Sequence, residues 1–265
     1  MNRIGIIGST GIDIRLLSEQ YTFESIPVGN ETFRFYRGNC GDKEIILTAR
    51  NQYRGSVAPH NVNYKLIMDG MKALCTDVVI GTSVSGSLSQ DIPPHTYLVL
   101  DQFLDFTKRS PFTAFGEKQF AFVDFSEPYC PVCRKHLIAA CKEAGVRFLP
   151  KGCYVGVDGP RYETNAEVRM FRKLGGDVVG MTNVPEAIMA RETGQCYASL
   201  SLVSNYGAGI GEKAEVLRKD CYEKTIETVD HTIDVLLAFI RNYDGQKDCN
   251  CAEKISDMLY AEVEA

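Results

Sequence analysis

The chain has 265 residues, of which 45% are hydrophobic and 24% charged, and its formal net charge is −5. These are the proportions of a globular protein long enough to bury a core without staples, and they exclude a disordered chain. The negative balance excludes the basic footprint of a nucleic-acid binder. No run approaches the roughly 18 apolar residues of a membrane span. The start, MNRIGIIG, lacks a signal-peptide pattern, so a cytoplasmic protein is expected.

In chain order, Arg3–Gly8 reads as an apolar strand closing on Ser9-Thr10-Gly11, and Lys43–Arg50 (KEIILTAR) as a second. Asn61–Cys75 has helical spacing, with Leu66, Ile67, Met71 and Leu74 on one face. Asp77–Thr82 (DVVIGT) is a buried strand running into Ser83–Ser87, and His95–Phe103 another strand. Thr107–Lys118 mixes Pro, Gly and aromatics and reads as a surface loop. Cys130–Gly145 is a helix for which Gly145 makes a natural stop. Phe148–Asp158 is a strand ending at Gly159-Pro160-Arg161, Asn165–Leu174 a helix, and Asp177–Gly180 a short strand. Pro185 suits the first turn of the next helix, where its missing N–H costs nothing. Cys196–Ser204 is a buried strand, and a long helix from about Glu212 to Asn242 leads to a polar tail from about residue 243. Without repeats or a linker, this predicts the α/β class: residues 1–265 form one domain, a mainly parallel or mixed sheet with helices on both faces.

Small polar residues collect at the C-terminal ends of these strands: Gly8–Gly11, Arg50-Asn51, Ser83–Ser87, Arg161–Glu163, Met181-Thr182 and Ser204-Asn205. In open α/β sheets that edge binds ligands, and Ser, Thr, Arg and backbone N–H groups are the donors a dianion needs. Locally, Thr182 or Asn183 can equally be a helix cap. The turn Gly5–Gly11 has neither the glycine spacing of a dinucleotide site nor the Lys-Ser/Thr pair of a Walker loop, which disfavours a dehydrogenase or an NTPase. The four histidines, His60, His95, His136 and His231, are scattered. Of the ten cysteines, Cys75, Cys141, Cys153 and Cys196 lie in apolar runs as core fillers. Cys130 and Cys133 form CPVC, and Cys249 and Cys251 form CNC. These pairs could bind zinc, form disulfides or remain reduced thiols; their wide separation and the lack of a nearby His favour the last.

The stretches IGIIGSTG, TARNQYRGSVAPHNVNY, GTSVSGSL, LDQFLDFTKRSPFTAF, SEPYCP, GPRYETNAEVR, VGMTNVPEA and SNYGAG follow one another from Arg3 to about Val216. In that order they resemble the trimeric purine nucleoside phosphorylase and methylthioadenosine phosphorylase family. The resemblance implies the nucleoside phosphorylase fold and a reaction in which phosphate attacks the anomeric carbon of a purine nucleoside, releasing free base and ribose 1-phosphate. Such a reaction passes through a sugar cation and needs positioning and charge stabilisation rather than a covalent nucleophile, in keeping with the absence of a Ser-His-Asp or Cys-His set. Phosphate would be a co-substrate, with no other cofactor and no metal in the active site. By the resemblance, Thr10, Arg50, Asn51, Ser83, Val84 and Thr182 would hold phosphate. Met181 would pack under the ribose, Tyr162 would flank the base, and Lys213 would lie near the sugar's 5' end. Phe122 would reach into a neighbouring subunit's sugar pocket, in a homotrimer or a dimer of trimers.

Two departures from the family pattern bear on specificity. Asn51 stands where methylthioadenosine phosphorylases have His, and Arg54-Gly55 where a second His is expected, which leaves the 5' substituent open. Adenine-specific members carry Asp in place of Asn205 and lack Glu163; the pair Glu163 and Asn205 is that of 6-oxopurine phosphorylases. The expected activity is therefore phosphorolysis of inosine and guanosine, with Glu163 and Asn205 as the catalytic pair. A 5'-methylthioinosine or 5'-methylthioadenosine phosphorylase is the alternative, and a catalytically weak nucleoside-binding protein a third.

Overall fold

A computed structural model describes residues 2–9, 12, 16–17, 20–54, 57–108, 113–115, 119–211, 216–253 and 260–262. The chain opens with β1 (Arg3–Gly8), the hairpin β2 (Tyr21–Val28) and β3 (Glu31–Cys40), and β4 (Lys43–Ala49). Next come α1 (Tyr64–Ala73), β5 (Val78–Ser87), β6 (Tyr97–Val99), β7 (Gln102–Asp105) and β8 (Gln119–Ala121). The second half holds α2 (Pro131–Glu143), β9 (Phe148–Leu149), β10 (Cys153–Gly156), α3 (Asn165–Lys173), β11 (Val178–Gly180) and α4 (Asn183–Glu192). It closes with β12 (Tyr197–Tyr206), α5 (Arg218–Glu227), α6 (Val229–Asn242) and β13 (Tyr260–Glu262).

Among the described residues, eleven strands form one mixed sheet in the order β2-β3-β4-β1-β5-β11-β10-β7, with β12 joining β5 to β6 and β9 beyond β6. The strands β1, β4, β5 and β12 run parallel, and β11 enters antiparallel against the last residues of β5, pairing Val178 with Ser87 and Val179 with Gly86. The period-2 alternation of strands divides the core. Ile4 and Ile6 of β1 pack with Leu236, Phe239 and Ile240 of α6 and Leu137 of α2. Ile7 faces the opposite layer, with Ile67 and Met71 of α1 and Ala187 of α4. The expected α/β domain with helices on both faces is thus observed.

Several elements differ from expectation, each for a local reason. The hairpin β2–β3 is not among the predicted strands, although Phe33 and Phe35 alternate inward and Gly29 (φ +58°) supplies the left-handed turn residue. Phe148–Asp158 is two short strands, interrupted at Pro150, which cannot donate to a ladder. His95–Phe103 likewise divides into β6 and β7. The long final helix is broken at Thr228, which ends α5 and starts α6 with φ −111° and ψ 2°. There the hydroxyl of Thr228 donates back to the carbonyl of Lys224 at 2.8 Å, and the hydroxyl of Tyr97 donates to the carbonyl of Thr228 at 3.1 Å. Beyond α6, Tyr243 and Cys251 are buried rather than part of a solvated tail.

Candidate active site

A cavity of about 600 Å³ opens where β1, β4, β11 and β12 end. One correction concerns β5: the strand expected over Asp77–Thr82 continues through Ser87, and Val84, Ser85 and Gly86 line the cavity from within the sheet. Gly86 and Ser87 at the end of β5 pair with β11 on one side and, past a bulge between Val203 and Asn205, with Asn205 and Tyr206 of β12 on the other.

Gly8, Ser9, Arg50, Asn51 and Thr182 line the cavity. The amide of Ser9 donates to Thr82 Oγ1 at 2.7 Å, which fixes the exit of β1. Thr10 and Lys213 lie outside the described residues. Arg50 is buried and forks onto the fully buried Glu186 of α4: Nε donates to Oε1 at 2.6 Å and Nη2 to Oε2 at 3.0 Å. A third N–H of Arg50, on Nη1, points to the carbonyl of Gly8 at 3.5 Å. A guanidinium has five N–H groups in a rigid fork, so this pinning leaves donors over on the edge that Arg50 presents to the cavity.

Glu186 is held in turn. The hydroxyl of Tyr197 donates to its Oε2 at 2.7 Å, Asn183 Nδ2 donates to Tyr197 Oη at 3.1 Å, and Tyr129 donates to Asn183 Oδ1. Burial and the charge of Glu186 push the Tyr197 hydroxyl well above its ordinary pKa, which keeps it a donor. Gly81 is required under this network, because a Cβ there would overlap the Tyr197 hydroxyl. The location of Glu186 in the first turn of α4 also sets its charge against the positive end of the helix dipole. Thr182 is the N-cap residue of α4 yet makes no side-chain capping hydrogen bond, so its hydroxyl is not spent on the helix. Asn183 does not cap either; it is fully buried in the tyrosine network.

Tyr162, Glu163, Met181, Ser204 and Asn205 also line the cavity. Glu163 directly precedes α3, which is capped by Thr164 and Glu167 in a reciprocal box, and Arg161 bonds Glu167 at 2.7 Å and 2.8 Å. That brace leaves Glu163 half-buried in the cavity wall, where burial raises its pKa above the ordinary carboxylate value. Burial likewise pushes the Tyr162 phenol up to about 12. The orientation of the Asn205 amide is fixed by two bonds: Ser204 Oγ donates to its Oδ1 at 2.8 Å, and its Nδ2 donates to the carbonyl of Tyr206 at 2.8 Å. One N–H of the Asn205 amide is left over from these two bonds.

The structure thus gathers Arg50, Asn51, Val84, Thr182, Tyr162, Glu163, Met181 and Asn205 around one cavity. Ser83 is buried behind that surface, its hydroxyl without a hydrogen-bond partner among the described residues. Phe122 does not reach the cavity of its own chain and is 69% exposed, and Arg54 is exposed. Asn51 Oδ1 accepts from the amide of Tyr53 at 3.0 Å, stabilising a turn in which Gln52 and Tyr53 both have positive φ. Sequence reasoning missed Glu186, Tyr197 and Asn183. A Glu four residues after Thr182 in an otherwise apolar first turn was the available signal for the first of these.

Comparison with known proteins identifies the family. The profile of the phosphorylase superfamily matches residues 3–241. The chain is 36% identical over 262 residues to the 6-oxopurine nucleoside phosphorylase of Pyrococcus furiosus, covering 96% of this chain and 98% of the relative. It is 42% identical over 253 residues to a probable S-methyl-5'-thioinosine phosphorylase of Methanothermobacter thermautotrophicus, covering 94% and 87% respectively. Among solved structures, methylthioadenosine phosphorylase from Schistosoma mansoni in complex with adenine superposes with a TM-score of 0.88 at 25% identity, over 97% of this chain and 96% of that one. The chain belongs to the phosphorylase superfamily. Within it, the chain falls in the family of purine nucleoside and methylthioadenosine phosphorylases.

Proposed function

We propose that the protein cleaves 6-oxopurine nucleosides, inosine and guanosine, with inorganic phosphate, giving free base and ribose 1-phosphate. The observation that carries this reading is the shared cavity: Glu163, Asn205, Arg50 and Thr182 all line it. A 6-oxopurine has an N1–H donor, which an ionised Glu163 accepts. Asn205 donates to N7 or O6 as negative charge builds on the leaving base. The phosphate dianion takes the remaining N–H groups of Arg50, the hydroxyl of Thr182 and the amides at the exit of β1. Met181 would floor the ribose and Tyr162 flank the base. Phosphate is the co-substrate, and no other cofactor or active-site metal is required by this chemistry.

A second reading keeps the base and replaces the 5'-hydroxyl by a methylthio group. The identity to the probable methylthioinosine phosphorylase favours it, as does an apolar part of the cavity wall formed by Ile12, Val57, Pro59 and Val62. The exposed ring of Phe122 supports assembly into a homotrimer in which it enters a neighbour's sugar pocket. Among the described residues no helix is long and apolar enough to cross a membrane, which is compatible with work in the cytoplasm.

The test is to incubate the purified protein with inosine, guanosine, adenosine, methylthioinosine and methylthioadenosine, with and without phosphate, and to follow free base by chromatography. Phosphate-dependent release from the 6-oxopurine nucleosides is expected. Release independent of phosphate would indicate a hydrolase, and faster release from both adenine nucleosides would overturn the assignment of Glu163 and Asn205.

A further inference from the structure

The end of the sheet opposite the cavity holds a cluster that phosphorolysis does not use. Cys130 is the N-cap residue of α2, Cys196 immediately precedes β12, and Cys249 and Cys251 lie in the segment after α6. Their four sulfur atoms all lie within 4.8 Å of one another, and Cys196 Sγ is 3.5 Å from Cys249 Sγ. We propose that Cys130, Cys196, Cys249 and Cys251 bind one zinc ion as a closed tetrathiolate site that clamps the C-terminal segment to the sheet.

The spacing suits a tetrahedron. Zinc–sulfur bonds of about 2.3 Å place tetrahedral sulfurs roughly 3.8 Å apart, a separation compatible with this quartet without rearrangement of the backbone. A disulfide needs about 2.05 Å, and all the cysteines of the chain are free. Cys130, Cys196 and Cys251 are buried and Cys249 partly so, within the apolar layer formed by α2, α6 and the first strands. Four thiols in mutual contact, with no carboxylate or imidazole in the set, are soft ligands that select zinc over magnesium or calcium. Four protein ligands leave no open position, which marks a structural rather than a catalytic ion. The motif CPVC misleads in one respect: Cys133 is buried beside the quartet but outside it, and CNC supplies two ligands instead.

Binding is a proton exchange without redox. Four S–H bonds break, four Zn–S bonds form, and four protons pass to solvent, leaving a site of charge −2. The N-terminal end of α2 lies against Cys130, where the helix dipole favours a thiolate. The ion would be remote from the chemistry, since Cys196 and Asn205 lie at opposite ends of β12, about 30 Å apart at 3.3 Å per residue.

The test measures zinc per chain by mass spectrometry of the elements in protein purified under reducing conditions without chelator. Reactive thiols and intact mass are determined in parallel. One zinc per chain is expected, with four thiols protected from alkylation until a chelator and a mercurial release the ion. Stripping should lower the melting temperature, and one equivalent of zinc should restore it, while phosphorolysis at low temperature changes less than twofold. Replacement by cobalt(II) should give the ligand-field bands of a tetrahedral tetrathiolate. Cys133→Ser should keep full zinc occupancy, whereas Cys249→Ser and Cys251→Ser should lose it. The proposal is overturned by zinc well below one per chain even after reconstitution, by disulfides among these four cysteines, by iron with labile sulfide, or by loss of zinc in Cys133→Ser.

Discussion

Glu186 offers the sharpest test of how the site is built, because it touches no substrate in the proposed reaction and yet holds Arg50. Replacing it with Ala leaves a buried guanidinium without its counter-charge, and breaking a buried pair from one side costs about 3–5 kcal/mol. For a domain of this size each kcal/mol shifts Tm by roughly 2–4 °C, so a fall of about 6–20 °C is expected. Glu186→Gln keeps an acceptor for Nε but loses the charge and one good acceptor of the Tyr197–Nη2 pair, and should cost about 1.5–3 kcal/mol. Phosphate then becomes the main anion available to Arg50. Its addition should therefore raise the Tm of Glu186→Gln more than that of the wild type, even as the unpinned fork lowers kcat. Thermal melts across a phosphate titration, paired with steady-state kinetics on inosine, read both effects. A Glu186→Gln protein with wild-type Tm, the same phosphate shift and unchanged kcat would refute the view that this carboxylate positions Arg50.

Arg50→Ala should remove a charge-assisted phosphate contact of about 1.5–3 kcal/mol, raising the KM for phosphate about 10- to 150-fold, and an unchanged phosphate KM would take Arg50 out of the site. Phe122→Ala should weaken nucleoside binding more than phosphate binding in a protein that light scattering finds to be a trimer; a fully active monomer would sink the shared-site proposal. Burial raises the pKa of Glu163, so the acid limb of kcat/KM for inosine should fall at a higher pH than an exposed glutamate titrates, and Glu163→Gln should abolish that limb. The same shift means that the folded state binds this proton more tightly than the unfolded one, a contribution present at low pH and lost as pH rises through the raised pKa. Glu163→Gln should accordingly be at least as stable as the wild type at neutral pH in thermal melts.

The parts of the fold legible in the sequence were those written in short apolar runs. KEIILTAR and DVVIGT could be placed because parallel strands buried on both faces need continuous hydrophobic residues. The hairpin β2–β3 was not legible: half its residues face solvent, and its alternation around Phe33 and Phe35 is interleaved with charges. Periodicity carried the last helix straight through Thr228, because a break made by one hydroxyl and a distant tyrosine leaves no mark on hydrophobic spacing. The site divides in the same way. Arg50, Met181, Thr182, Glu163 and Asn205 lie in local stretches that could be matched in order. Glu186 and Tyr197 act through Arg50 from separate elements, and only the folded chain brings them within hydrogen-bonding distance. Cys196 shows the converse. It was read as core filling, which its burial satisfies, but three other sulfurs from distant stretches meet it.

The proposed base selection rests on Glu163 and on the orientation of the Asn205 amide. The hydroxyl of Ser204 donates to Oδ1 and Nδ2 donates to the carbonyl of Tyr206, so the side chain presents N–H rather than oxygen to a base in the cavity. A 6-oxopurine offers acceptors at O6 and N7 there, while its N1–H meets Glu163. Adenine reverses two of these: its exocyclic 6-amino group donates where O6 accepts, and its N1 is an acceptor, which meets an ionised Glu163 lone pair to lone pair, a mismatch worth about 1–3 kcal/mol. Inosine and guanosine should therefore exceed adenosine in kcat/KM by at least about tenfold, the factor that 1.4 kcal/mol produces. In Asn205→Asp the carboxylate can donate only when protonated. Its ionised form would repel the charge developing on a departing 6-oxopurine, whereas adenine N7 can be served by a protonated acid whose pKa the half-buried wall has raised. The ratio of inosine to adenosine should narrow or reverse in this variant, with most of the loss in kcat/KM for inosine. Equal losses for both bases would mean that Asn205 serves the architecture of the β12 bulge alone, and a wild-type preference for adenosine would overturn the assignment of Glu163 and Asn205 as the residues that read a 6-oxopurine.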